Sequence, residues 1–115
     1  MRKTGPAFAV LYRWRIHPGR EQDFIDSWTR VSQLLYSLHG SLGSRLHRGH
    51  DGLWYSYAQW PSAEARARAF SAPPVDPVAS ELQKACVAEY FPEIILEPVS
   101  DLMVLAASSP SKSDA

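Results

Sequence analysis

The stretch Gly52-Leu53-Trp54-Tyr55-Ser56-Tyr57-Ala58-Gln59-Trp60-Pro61 decides how the chain folds. It is dense in aromatic residues, with Asp51-Gly52 before it and Pro61-Ser62 after it. Aromatic side chains favour strands, and both flanks are turn formers. Side chains on a strand alternate between its faces. One face therefore carries Trp54, Ser56, Ala58 and Trp60, and the other carries Leu53, Tyr55, Tyr57 and Gln59. The first face has small residues in its middle, where helices can lie close. The second is amphipathic and too apolar to be left comfortably in water. A strand with two such faces belongs in the middle of a sheet. One side is expected to meet the chain's own helices and the other a second copy of the chain.

Upstream, Ala7 to His17 alternates in the same way. Phe8, Val10, Tyr12, Trp14 and Ile16 share one face, and Ala9, Leu11, Arg13, Arg15 and His17 share the other. Pro18-Gly19 stops this strand. A long helix is predicted from Arg20 to His39, because Phe24, Ile25, Trp28, Val31, Leu34, Leu35 and Leu38 recur at helical spacing. Glu21 and Asp23 suit its first turn, and Gly40 its C-terminal cap. A second strand is expected over Leu42–His50, joined to the aromatic strand through an Asp51-Gly52 hairpin.

Downstream, Ser62 caps a short helix over Ala63–Phe70 that carries Arg66 and Arg68. Pro73-Pro74 breaks it. Asp76 and Pro77 begin another helix that runs to Tyr90 before Pro92, with Val78, Leu82, Cys86 and Tyr90 inward. A last strand begins at Ile94–Leu96, is interrupted by Pro98, and resumes over Leu102–Leu105. Pro98 assigns it to a sheet edge. The expected product is α+β, a ferredoxin-like four-stranded antiparallel sheet with helices on one face and the first and third strands central. The domain spans 1–106, and the serine-rich stretch 107–115 is expected to be disordered.

Composition narrows the function. The 115 residues include 12 basic and 12 acidic side chains, so no basic field exists for nucleic acid. No apolar run has the length to span a bilayer. The single cysteine, Cys86, forms no internal disulfide and suits a reducing compartment, so a cytoplasmic location is expected. His17, His39, His47 and His50 stand at no metal-ligand spacing, either with Cys86 or with carboxylates. The open sheet face would present Leu11, Arg13, Arg15, Arg45, His47, Leu53, Tyr55, Tyr57 and Gln59. Such a patch marks an interface, and a sheet-to-sheet homodimer is predicted.

The strand ending His17-Pro18-Gly19, the helix with Phe24 and Trp28, the Gly40–Arg48 segment, and Trp60 followed by Ser62, Glu64 and Ala65 together resemble the antibiotic biosynthesis monooxygenase family. The resemblance runs from Phe8 to Phe70 and implies a dimeric α+β barrel. It implies a pocket between sheet and helices around Tyr12, Trp14, Trp28, Trp54, Phe70 and Tyr90. Family members include cofactor-free oxygenases of aromatic polyketides and haem-degrading enzymes. The haem-degrading members use an asparagine on the first strand, with a tryptophan and a histidine on later helices, and the polyketide oxygenases also use an asparagine and a tryptophan near the substrate's phenolic oxygen. This chain contains no asparagine, and Tyr12 stands at the matching strand position. No histidine lies between Ala63 and Phe91. The resemblance thus implies a monooxygenase without cofactor acting on a small aromatic or quinone-type ligand. Tyr12 and Arg66 are its candidate catalytic residues, and Trp60 reads as a packing residue. A non-catalytic dimeric binding or structural module is the alternative.

Overall fold

The computed structural model describes residues 7–104. The expected disorder of 107–115 and the last residue of the strand expected over Leu102–Leu105 lie outside those residues. Strand β1 spans Phe8–Ile16, helix α1 Glu21–His39, β2 Ser44–Arg48 and β3 Trp54–Trp60; α2 follows over Ala63–Ser71, α3 over Pro77–Cys86 and β4 over Val87–Leu96. The four strands form one sheet in the order β2-β3-β1-β4, and every neighbouring pair is antiparallel. The two aromatic-rich strands are central, as their composition predicts. Trp14, Ile16 and Trp54 of the sheet pack with Phe24 of α1 and Cys86 of α3, and Trp60 packs with Ala65 and Ala69 of α2. All three helices therefore press on the same face.

Along β3 the burial alternates strictly. Trp54, Ser56, Ala58 and Trp60 are buried, while Tyr55, Tyr57 and Gln59 are partly exposed. Helix α1 ends where its sequence says it should: Gly40 takes a left-handed φ of 81° and its N–H bonds back to Leu35. An Asp76 side-chain oxygen accepts the Ala79 N–H at 3.0 Å at the start of α3, while the other meets Arg30 of α1 at 3.1 Å. These bonds, the backbone one first, hold the Asp76 carboxyl below its ordinary range. A lowered carboxyl contributes stability above its unfolded-state titration, and that contribution disappears as pH falls through the folded one. The gap in melting temperature between wild type and Asp76→Ala is accordingly expected to be open at neutral pH and to close in acid, as thermal scans would read. A gap constant with pH would contradict this.

The structure corrects the sequence reading in three places. Strand β2 begins at Ser44 rather than Leu42, because Gly43 takes a φ of 107° and breaks the regular ladder. Leu42 and Gly43 still exchange backbone bonds with Gln59. Helix α3 ends at Cys86, not Tyr90, and its buried residues are Ala79 and Cys86, whereas Val78 is exposed. The chain then passes directly into β4, ten residues long, with Pro92 inside it. Proline is tolerated there because β4 is an edge strand and pairs only with β1. Beyond Leu96, residues 102–104 form no strand.

Candidate active site

The core is divided, and its division makes the site. Trp14, Phe24 and Trp54 fill one end of the helix–sheet interface, with Phe24 edge-on to both tryptophans at 5.1 and 5.8 Å between ring centroids. Trp60, with Ala65 and Ala69, fills the other. Between these clusters β3 presents only Ser56 and Ala58. Those small side chains do not draw a helix close, as the sequence suggests they might. They leave a cavity of about 560 Å³, lined by residues of the sheet and of all three helices. Its size suits a small aromatic ligand.

Five of the six pocket residues expected from sequence line this cavity: Tyr12, Trp14, Trp28, Phe70 and Tyr90. Phe70 and Tyr90 are well exposed and stand at its rim. Tyr90 arrives from β4 rather than from a helix. Trp54 does not line it; it is buried beneath Phe24 and borders a shallower groove between α1 and β2. Trp60 is 1 % exposed, makes an edge contact with Phe70 and also lines the cavity, its buried indole N–H having no partner among the described residues.

Arg66 does not itself line the cavity; it lies behind Tyr12 and Glu93, which do, and ties them together. From α2 its Nε–H donates to the Tyr12 hydroxyl at 3.1 Å, and its Nη2 donates to Glu93 of β4 at 2.6 Å. The guanidinium also lies over the rings of Phe70 and Tyr12, at 4.9 and 5.5 Å. Burial tends to discharge Arg66, but its bonds to Glu93 and Tyr12 outweigh that and hold it protonated. Burial pushes the Tyr12 phenol above the ordinary tyrosine value, against the opposing pull of Arg66. Tyr12 thus stays a phenol. Its oxygen accepts from Arg66, and its own O–H meets no acceptor among the described residues. Deeper in, Ser56 is Tyr12's cross-strand partner, and its hydroxyl accepts from the indole N–H of Trp28 at 3.2 Å. The cavity floor therefore offers two hydroxyls, each anchored by a helix-borne N–H.

Glu93 was not legible in the sequence. Leu11 pairs with Ile94 but Arg13 with Phe91, so one extra residue sits in β4 opposite Tyr12. The bulge at Pro92 shifts the alternation, so that Tyr90 and Glu93, three positions apart, both line the cavity, where a regular strand would put them on opposite faces. With Pro92 read as a helix stop, nothing could reveal it.

On the sheet face that no helix covers, Leu11, Arg13, Tyr55 and Tyr57 are partly buried, and Arg15 and His47 are exposed. Arg15 pairs with Glu89 at 3.0 Å, and Tyr55 donates to Asp51. Arg13 donates to the Pro92 carbonyl at 3.0 Å. Among the described residues, no group of three His, Cys, Asp or Glu side chains is placed to hold a metal ion, and no helix is long and apolar enough to cross a membrane.

Comparison with known proteins agrees with this architecture. A Bordetella bronchiseptica protein bearing the name antibiotic biosynthesis monooxygenase aligns at 20% identity and a TM-score of 0.71, over 83% of this chain and 99% of its own. SnoaB, a cofactor-independent oxygenase from Streptomyces nogalater, aligns at 17% identity and a TM-score of 0.70, over 84% of this chain and 97% of its own. Rv0793 from Mycobacterium tuberculosis aligns at 13% identity and a TM-score of 0.67, over 84% and 98%. At such identities the likeness is one of fold. No curated protein matches the sequence. The family model for antibiotic biosynthesis monooxygenases matches residues 7–75, more than half of the chain. On that match, the chain belongs to the antibiotic biosynthesis monooxygenase family.

Proposed function

We propose that this protein is a cofactor-independent monooxygenase of a small, electron-rich aromatic held in the cavity between Trp60 and Trp14. The observation that carries the reading is the Tyr12 hydroxyl, fixed by Arg66 with its proton free to meet a ligand oxygen. The fold shared with a cofactor-independent oxygenase supports it. For an anthrone-type substrate the overall change is CH2 + O2 → C=O + H2O. The substrate supplies both hydrogens, so no external reductant is required. The protein's part is to orient the ring system, stabilise charge on its oxygen and exclude bulk water. Oxygen uptake with a panel of anthrones and hydroquinones tests this. Uptake is expected, and Tyr12→Phe should lower it about tenfold or more, since a donor to developing charge is lost. A wild type that consumes no oxygen across the panel would refute the reading. Ligand binding without uptake would instead indicate a binding module.

We also propose that the uncovered sheet face pairs two chains around a two-fold axis. Arg13, Tyr55 and Tyr57 on that face are of the types favoured at interfaces, Leu11 adds apolar surface, and the four are placed together on adjacent strands. Sedimentation at micromolar concentration should give about twice the 12.9 kDa of one chain; a monomer would exclude the dimer.

A further inference from the structure

Oxygen in its triplet ground state reacts poorly with closed-shell aromatics, so a reaction without cofactor needs the substrate as an anion first. Some group in the cavity must accept a proton. Of the side chains that line the cavity, Tyr12 is held as a neutral phenol, Arg13 and Lys84 are basic residues, and none is a histidine. Glu93 is the carboxylate among them. One of its oxygens receives Arg66, and the other has no partner among the described residues. It lies at the level of Tyr12, beside the Pro92 bulge that lets it share the cavity with Tyr90. Bulges next to active sites commonly re-aim a side chain in this way.

We infer that Glu93 is the general base of this cavity, and that taking the proton releases the charge of Arg66 to hold the resulting anion. The inference rests on the oxygenase reading. While Glu93 is ionised, it offsets the guanidinium beside Tyr12. Once Glu93 is protonated, Arg66 is left with an uncompensated positive charge directly behind the Tyr12 hydroxyl, which bonds the substrate oxygen. In the first step a substrate C–H or O–H bond breaks, the proton goes to the Glu93 carboxylate, and the electron pair stays on the substrate. The anion then gives one electron to O2, which is reduced, and a C–O bond forms as the two radicals combine. For an anthrone, the peroxide anion takes the proton back from Glu93. The carboxylate removes the second hydrogen of the same carbon as a proton, the O–O bond breaks, and the departing hydroxide collects that proton as water. Glu93 ends as it began.

Glu93→Gln keeps the shape and an acceptor for Arg66 while removing the base and the negative charge. The Glu93 side chain is 40% exposed, so the substitution should fold, as circular dichroism would verify. Two readouts are taken with wild type, Glu93→Gln and Glu93→Asp. The first is oxygen uptake: Glu93→Gln should lose about a hundredfold or more in kcat with KM little changed, and Glu93→Asp should recover part of it. The second is equilibrium binding, followed by tryptophan fluorescence. 2-Naphthoate should bind Glu93→Gln about tenfold tighter than wild type, because Arg66 has lost its counter-charge, and neutral 2-naphthol should bind both alike. Glu93→Gln turning over within about threefold of wild type would overturn the inference and leave the oxygenase reading standing. If wild type consumes no oxygen, that reading falls, and the base role falls with it. The binding arm then decides the charge release alone: unchanged naphthoate affinity overturns it, and tightening upholds it.

Discussion

Phe24→Ala is expected to cost about 3–5 kcal/mol of unfolding free energy, which is a large part of what a domain of this size has. Phe24 is fully buried, and its ring makes edge contacts with both Trp14 and Trp54. Both tryptophans are held by neighbouring strands, paired across the sheet at the same level. They are not free to slide into the vacated space, so a cavity would persist and its walls would lose their dispersion contacts. Urea unfolding monitored by far-UV circular dichroism reads the effect. A loss below about 1.5 kcal/mol would mean that this end of the core collapses on itself. Phe24→Leu, which retains most of the volume, should cost distinctly less.

Arg66→Met should have the largest effect on activity, about a hundredfold or more. It removes the Nε–H that fixes Tyr12, the partner of Glu93, and the cation stacked on Phe70 in one change. Methionine retains much of the aliphatic volume, so the difference reports the guanidinium rather than its stem. The cost in stability is expected to be smaller, about 1–2 kcal/mol, because the Glu93 side of the ion pair is partly solvated. Oxygen uptake and a denaturation curve on the same preparation separate the two. Activity preserved with stability lost would make Arg66 a brace between α2 and β4 and nothing more.

These two residues show how differently the core and the site were written into the chain. Phe24 stands in a stripe of helical spacing, and the alternation in β1 and β3 names the face it must meet. Burial follows from period alone, because a strand has two sides and a helix one apolar stripe. The same logic assigned Tyr12, Trp14 and Trp28 to the interior, and it placed Arg66 on the helix after Trp60. It could not say that Arg66 and Tyr12 touch, since 54 positions separate them in sequence.

By itself, the sequence determined the order of elements, the central place of the two aromatic strands, the hairpin and caps, and the sheet face that helices cover. Each of these is local, set by turn chemistry or by alternation along a few residues. Only the tertiary structure decided that the core splits around Ser56 and Ala58, that Trp54 belongs to packing rather than to the cavity, and that β4 starts at Val87. It also decided that Glu93 faces inward. That it does so together with Tyr90 depends on one extra residue at Pro92, and a bulge is defined by the strand it pairs with. No pattern within β4 alone could have announced it.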